Sequence, residues 1–224
     1  MKKKNIFFWF FLFILLTTFY FDFNKTKLAE TFEIKKIEIQ GVENADINLL
    51  KLRLERFKYN NFFLINRSQI ASSIIDIDFI NKVLIKKIYP DKVQIKIKEH
   101  KIIGIIINNK KKYILSEEGI IIKKYDKKFK NLPVIYGKEV QIFFPQFYKS
   151  LKETNFDINK IEFFKYFDTN RWDIFLKSGR LIKLPSNEND SKQSISKFMS
   201  ISKDEKFDKF KIFDFRVKNQ LIIK

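Results

Sequence analysis

The chain opens with one long uncharged run and continues in shorter apolar periods. No charged residue stands between Lys4 and Asp22, and the run is rich in Phe, Ile and Leu. As a helix, the seventeen uncharged positions 5–21 would cover about 25 Å, close to the ~30 Å hydrocarbon core of a bilayer. The run therefore predicts a single transmembrane helix over residues 6–23. Residues expected along this membrane anchor are Ile6, Trp9, Phe13, Leu16 and Tyr20.

Three lysines precede the run, at positions 2–4. Under the positive-inside rule they favour a cytoplasmic N-terminus, so residues 1–5 would be a short cytoplasmic tail and the rest of the chain would lie outside. A cleaved signal peptide is the competing interpretation, because signal peptides also begin with a basic segment. The run is longer than a typical signal peptide core and no small-x-small cleavage site follows it, so we favour an uncleaved anchor. Residues 24–31 are polar and are expected to form a linker.

Residues 32–100 carry strand and helix patterns in the order β-α-α-β-β. A strand over 32–40, with a bulge where the alternation slips, is followed by an amphipathic helix over 46–57. A second helix opens at Asn66, and Gln69 completes the spacing of a capping box. Strands over 83–89 and 93–99 then form a hairpin. The side chains expected in the core are Ile47, Leu50, Leu54, Phe57, Ile70, Ile74, Val93, Ile95 and Ile97.

Residues 101–224 predict a second, β-rich domain with a few helices, which makes the whole chain an α+β protein. Helices are expected over 144–153 and around Ile195 to Met199, and Asn187 to Asp190 is expected to be a loop. The predicted strands are 102–107, 112–115, 120–123, 132–137, 172–177, 180–184, 209–216 and 220–223.

Composition removes most catalytic chemistry. The chain has no cysteine and a single histidine, His100, which excludes disulfides, thiol nucleophiles and multi-histidine metal sites. The five glycines are too dispersed for a phosphate-binding loop. The net charge of +19 comes almost entirely from lysine, since only six of the 45 basic residues are arginines. Planar recognition of phosphates and bases favours arginine over lysine, so we expect no nucleic-acid partner. From the residue inventory above we also expect no cofactor, no metal and no small-molecule substrate.

The order of these parts resembles the bacterial cell-division protein family FtsQ/DivIB, and the resemblance covers nearly the whole chain. That family combines a basic start, one N-terminal membrane span, a POTRA domain and a β-rich domain. The segment Tyr89-Pro90-Asp91 and the strand after it are similar to the family's Trp-Pro-Asp strand pair. The triplet Asp214-Phe215-Arg216 resembles the family's late Asp-Leu-Arg. Further matching stretches are 32–57, 61–66, Glu117-Glu118-Gly119, 132–137 and 171–185.

The resemblance implies a non-enzymatic scaffold of the divisome in the inner membrane at the division septum, with most of its mass in the periplasm. It also implies direct binding of the small proteins FtsB and FtsL, and an indirect or weak link to the septal peptidoglycan synthase. A membrane-anchored POTRA-type chaperone or secretion component, which would hold extended polypeptides, is the alternative. A weaker third interpretation is an anchored enzyme or receptor that binds a polyanion through the lysines.

The last strand is the expected partner site. After Arg216 the chain turns at Lys218-Asn219 and stops within an apolar strand, so no later segment is expected to pair with its outer edge. Such an edge can take up a strand from another protein, and the family resemblance makes FtsB the expected donor. Alternatively, the helix at 195–201 covers this edge or Lys224 blunts it. The residues assigned to partner binding are Arg216, Asn219, Gln220, Leu221, Ile222 and Ile223.

Overall fold

A computed structural model of the chain describes residues 3–18, 32–108 and 110–224. It divides into two compact units, residues 1–98 and 99–224. The first contains a helical N-terminal segment and a small α+β fold, and the second is β-rich.

The N-terminal apolar run forms the helix α1, Lys3–Thr18. Large apolar side chains are exposed all around it, including those of Ile6, Trp9, Phe13 and Leu16. With 16 residues, α1 falls short of the length required for a span, and no other helix in the described part of the chain meets both the length and the apolarity requirement. Tyr20, the rest of the predicted anchor and the predicted linker over 24–31 lie outside the described residues.

In residues 32–99 a three-stranded sheet packs against two helices. Its elements are β1 (Lys36–Gln40), α2 (Ile47–Glu55), α3 (Arg67–Ser72), β2 (Ile80–Ile88) and β3 (Lys92–Glu99). The strand order is β1-β3-β2, with β1 parallel to β3. This is the predicted β-α-α-β-β order, and β1 is shorter than predicted. The backbone N–H groups of Lys35 and Lys36 both donate to the carbonyl of Asp91, so the alternation slips there and the ladder begins only at Lys36.

Local sequence signals start both helices. The Asp46 carboxylate accepts hydrogen bonds from the N–H groups of Asn48 and Leu49 at the first turn of α2. At α3 the Asn66 side chain accepts from Ser68 N–H while the Gln69 side chain accepts from Asn66 N–H, which confirms the capping box.

The core of this unit follows the predicted apolar positions with one exception. Val93, Ile95 and Ile97 on β3 are buried, as are Leu50 and Leu54 on α2. The exception is Ile47, which was predicted to be buried and is 38% exposed. It occupies the first position of α2, so the prediction was wrong at the N-terminal end of the helical stripe.

Within the described part of residues 99–224, nine strands form one sheet in the order β12-β11-β10-β9-β8-β7-β4-β5-β6. The pairs β4/β7, β7/β8 and β10/β11 are parallel, and the other neighbours are antiparallel. The strands are β4 (Ile102–Asn108), β5 (Lys111–Ser116), β6 (Ile121–Ile122), β7 (Val134–Tyr136), β8 (Ile161–Phe167), β9 (Arg171–Leu176), β10 (Leu181–Lys183), β11 (Ile212–Asp214) and β12 (Ile222–Ile223).

Two helices, α4 (Val140–Glu153) and α5 (Glu188–Ile201), pack with this sheet around an aromatic core. Phe147 of α4 stacks on Trp172 of β9 at 4.8 Å between ring centroids. Phe198 of α5 meets Phe213 of β11 edge-on at 4.9 Å. Because Phe213 is fully buried, this contact fixes the second-last strand of the sheet against the helical layer.

Several features of this unit differ from the sequence prediction. Strand β11 covers only Ile212–Asp214 of the predicted 209–216, and α4 begins at Val140 rather than at residue 144. Strand β8 was not predicted, and its ladder with β9 is irregular between Ile161 and Phe163, which breaks the alternation that reveals a strand. Asn187 to Asp190 was predicted to be a loop, but α5 starts at Glu188. The Asn187 side chain caps this helix by accepting from the N–H groups of Asn189 and Asp190.

Candidate partner-binding site

The candidate site is the hairpin of β11 and β12 at one end of the nine-stranded sheet. Strand β11 lies parallel to β10, with Phe213 opposite Ile182, and β12 returns antiparallel to β11, with Ile222 opposite Asp214. The turn between them contains Asn219, whose φ of 61° is a left-handed conformation that asparagine tolerates better than most residues. Among the described strands of the nine-stranded sheet, β12 is the outermost strand at this end.

The six residues assigned from the sequence fall into two groups on this hairpin. Leu221 and Ile223 are half-buried and pack against the core, whereas Ile222 between them is 42% exposed. Arg216, Asn219 and Gln220 are exposed in or beside the turn. The hairpin therefore combines two inward anchors with an outward apolar side chain and a polar turn.

The hydrogen-bond register shows which backbone groups of β12 point away from the sheet. Lys224 N–H donates to the Ile212 carbonyl at 3.1 Å, and Ile212 N–H donates to the Lys224 carbonyl at 3.0 Å. Hydrogen-bonded and non-hydrogen-bonded pairs alternate along an antiparallel ladder. The next pair, Phe213 and Ile223, is consequently of the second kind, and the N–H and C=O of Ile223 point outward from the edge.

Arg216 is held by a charge pair at the base of the turn. Its Nε donates to both carboxylate oxygens of Asp214, at 2.8 and 3.0 Å. The hydrogen bonds from Arg216 hold the pKa of Asp214 below its usual range, and the same pair raises the pKa of Arg216. Because Asp214 is buried and Arg216 is exposed, the carboxylate orients the guanidinium toward the solvent beside β12.

Asp214 belongs to a row of alternating charges that crosses four strands, and sequence reasoning missed this row. Lys165 on β8 lies opposite Asp173 on β9, Asp173 opposite Lys183 on β10, and Lys183 opposite Asp214 on β11. Opposed residues of neighbouring strands project from the same face of a sheet. A signal was present, since an acidic residue interrupts an apolar strand at both Trp172-Asp173-Ile174 and Phe213-Asp214-Phe215.

Asp173 is the most buried member of the row. It is 3% exposed, and burial raises the pKa of its carboxyl group despite the nearby cations Arg171, Lys183 and Arg216. Its Oδ1 lies 3.5 Å from Nε of Arg171, and neither atom has a hydrogen-bond partner among the described residues. Hydrogen bonding within the row is therefore incomplete at Asp173, in its centre, and complete at Asp214, which is paired with Arg216 next to the candidate site.

A cleft of about 360 Å³ lies between the β11–β12 turn and α5. Asp190 and Lys197 of α5 line one side, and Phe215, Arg216 and Gln220 line the other. Three of the six assigned residues, Arg216, Asn219 and Gln220, thus line this cleft.

Three carboxylates away from the candidate site have structural partners. Asp76 pairs with Arg53, and Glu117 pairs with Lys152. Glu118 lies 3.0 Å from Nδ1 of His100. In the described ranges no group of three or more His, Cys, Asp or Glu residues is arranged to hold a metal ion.

Comparison with known proteins connects both units to one family. Residues 104–216 match the family model described as "Cell division protein FtsQ/DivIB, C-terminal", and residues 32–100 match "POTRA domain, FtsQ-type". The first match ends at Arg216, so β12 lies beyond it.

Curated relatives show the same similarity. The chain is 26% identical over 206 residues to the cell division protein FtsQ of Rickettsia bellii, covering 89% of this chain and 76% of that protein. It is 29% identical over 164 residues to the FtsQ of Rickettsia typhi, covering 73% and 60%. The major extracytoplasmic domain of the cell division protein DivIB from Geobacillus stearothermophilus superposes on 47% of this chain and 92% of that domain, with 16% identity and a TM-score of 0.36.

The two family models follow one another along the chain in the same order as the two structural units. The C-terminal model alone matches half of the sequence. The chain therefore belongs to the FtsQ/DivIB family of cell-division proteins.

Proposed function

We propose that this protein is a non-enzymatic scaffold of the divisome that binds FtsB and FtsL and links them to the septal peptidoglycan synthase. Family membership supports a role in cell division. The observation that carries the binding proposal is the terminal strand β12, whose Ile223 N–H and C=O point outward. Residues 32–100 and 101–224 would act as the POTRA domain and the partner-binding domain.

The proposed binding mode is strand addition. An extended segment of FtsB would lie beside β12 and form main-chain hydrogen bonds with Ile223, which any extended segment could make. Specificity would come from side chains, through contact with the exposed Ile222 and through an acidic group that meets Arg216. The cleft beside α5 would accept the part of the partner that continues past the turn.

The location of the protein is part of the same proposal. The N-terminal run would anchor it in the inner membrane at the septum, with a cytoplasmic N-terminus and both domains in the periplasm. Two observations support an anchor: α1 exposes apolar side chains on all sides, and three lysines precede its apolar stretch. A helix that is apolar all around has no polar face to turn toward water.

The test of strand addition compares two substitutions of one residue. Ile223→Pro removes the outward N–H and truncates the side chain, whereas Ile223→Ala makes a comparable truncation and keeps the donor. We expect Ile223→Pro to lose capture of FtsB in a pull-down with the full-length protein, and Ile223→Ala to retain most of it. Fluorescence of Trp172, measured in a Trp9→Phe background so that it is the single tryptophan, should show that both variants keep the second unit folded.

Ile222→Pro is a useful contrast, because the N–H of Ile222 faces β11 and its loss should disrupt the hairpin itself. Equal capture by folded Ile223→Pro and Ile223→Ala variants would contradict strand addition. Equal capture of FtsB and of unrelated extended peptides by the unmodified protein would instead favour the chaperone or secretion role.

A further inference from the structure

Four large side chains project into solvent from loops at one end of the POTRA unit. Tyr59 is 71% exposed, Phe63 55%, Leu64 84% and Tyr89 64%. We call these four residues the N-terminal patch. Isolated exposed apolar residues are common on protein surfaces, whereas a cluster of them indicates an interaction surface.

The patch surrounds the point where the chain arrives from its N-terminal segment. Phe62 N–H donates to the Phe32 carbonyl at 2.7 Å, and Tyr59 N–H donates to the Ile34 carbonyl at 3.0 Å. On the other side, Lys35 N–H donates to the carbonyl of Asp91 at 2.8 Å. The loop that carries Tyr59 to Leu64 and the turn that follows Tyr89 therefore flank the arriving segment.

Ring contacts hold two members of the patch, Phe63 and Tyr89, in a fixed arrangement. Phe63 lies 5.0 Å from the Phe32 ring and 5.7 Å from the Tyr89 ring, between centroids. Tyr89 also lies 4.8 Å from the buried Phe62. The Lys87 ammonium donates to the carbonyls of Phe62 and Ile65, both at 2.6 Å, which fixes the loop from within. The exposed rings of Phe63 and Tyr89 are thus preorganised and need no ordering before they bind.

The charges next to the patch are mainly positive. Lys35 and Arg67 are exposed, and Lys58, immediately before Tyr59, is ion-paired with Glu55 at 3.1 Å. Glu33 and Asp91 are the acidic residues of the arriving segment and the turn, and both are half-buried. Tyr, Phe and Leu with neighbouring Lys and Arg is the composition of surfaces that lie in the interface of an anionic bilayer.

We infer that the N-terminal patch lies in the headgroup region of the membrane in which α1 is anchored. This inference rests on the proposed anchor. Thirteen residues, 19–31, separate Thr18 from Phe32, and an extended chain of that length reaches at most about 50 Å. Because the patch surrounds the residues to which this connection leads, the bilayer is within its reach whenever α1 is inserted. The contact would fix the orientation of the POTRA unit against the membrane.

The absence of cysteine from the sequence makes single-site labelling straightforward. Spin labels at Leu64→Cys, Leu84→Cys and Phe13→Cys would be compared in the full chain, reconstituted in vesicles of phosphatidylcholine and phosphatidylglycerol. Leu84 is the matched control, since it is 50% exposed on β2 and lies five residues from Tyr89, about 17 Å along a strand. Collisions with oxygen report lipid exposure, and collisions with a water-soluble nickel chelate report water exposure.

We expect the label at position 64 to favour oxygen over nickel, the label at 84 to favour nickel, and the label at 13 to lie in lipid. Nickel access at 64 equal to that at 84, with position 13 in lipid, would overturn the inference and leave the anchor intact. Shielding of position 64 from both reagents would indicate a protein occupant and would also overturn it. Nickel access at position 13 would refute the anchor and, with it, the membrane contact.

Discussion

Truncating Leu54 is expected to unfold the POTRA unit selectively. Leu54 lies on α2 and is 1% exposed, in contact with the core formed with β3. Leu54→Ala removes buried methyl groups and leaves a cavity, which in well-packed sites costs about 2–5 kcal/mol. Alanine is itself a good helix former, so helix propensity does not contribute to the loss. Ile47→Ala on the same helix is the control, because Ile47 is 38% exposed and surface substitutions stay within about 0.5 kcal/mol.

The assay has to resolve one unit of a two-unit protein. Hydrogen exchange of the β3 amides, residues 92–99, reports opening of the POTRA unit. A loss of about 2–5 kcal/mol corresponds to exchange that is about 30-fold to a few thousand-fold faster when these amides exchange by unfolding of the unit. In a Trp9→Phe background, Trp172 fluorescence follows the second unit and should be unchanged. Equal exchange rates for Leu54→Ala and Ile47→Ala would refute the assignment of the buried face.

Two further predictions concern single residues of the two units. Burial raises the pKa of Asp173, so the folded state binds the proton of this carboxyl group more tightly than the unfolded state does. Proton binding therefore stabilises the folded state. This stabilisation is full below about pH 4 and is lost as the pH rises through the folded-state pKa. Asp173→Asn should therefore raise the melting temperature at neutral pH, and this gain should vanish in acid. A lower melting temperature of the variant at neutral pH would contradict the prediction and show that the carboxylate is needed to pair Arg171, Lys183 and Arg216. Gly41 has a φ of +78°, and an added Cβ would lie 2.3 Å from the Ile97 carbonyl oxygen, whereas Gly179 has a φ of +80° and open space around it. Gly41→Ala should thus cost clearly more in urea unfolding of its unit than Gly179→Ala, which bears only the left-handed backbone cost of about 1–2 kcal/mol.

Features encoded by neighbouring residues could be predicted from the sequence. The caps at Asp46 and Asn66 depend on spacings of two or three residues, so they appear in the sequence as they do in the structure. Strands β9 and β10 were likewise predicted, because only the short turn at Ser178-Gly179 separates their two apolar runs. Strand β8 was missed because an irregular register at its start breaks the alternation of its side chains.

Features that depend on distant pairing could not be predicted in this way. The parallel pairing of β10 with β11 joins strands separated by the whole of α5, and no local pattern specifies it. The charge row from Lys165 to Asp214 exists only once four strands are in register. The last strand was predicted, but the exposure of Ile222 and the outward direction of the Ile223 N–H required the observed structure.

The two ends of the nine-stranded sheet have different consequences for assembly. A sheet that accepts strands at both ends can propagate into a fibre, since each added copy exposes a new edge. At the end opposite β12, the described strand β6 has two residues and is followed at once by Lys123 and Lys124. A short edge rich in lysine discourages pairing. Copies of this sheet are therefore not expected to pair end to end into a fibre, and strand addition is expected only at the β12 end.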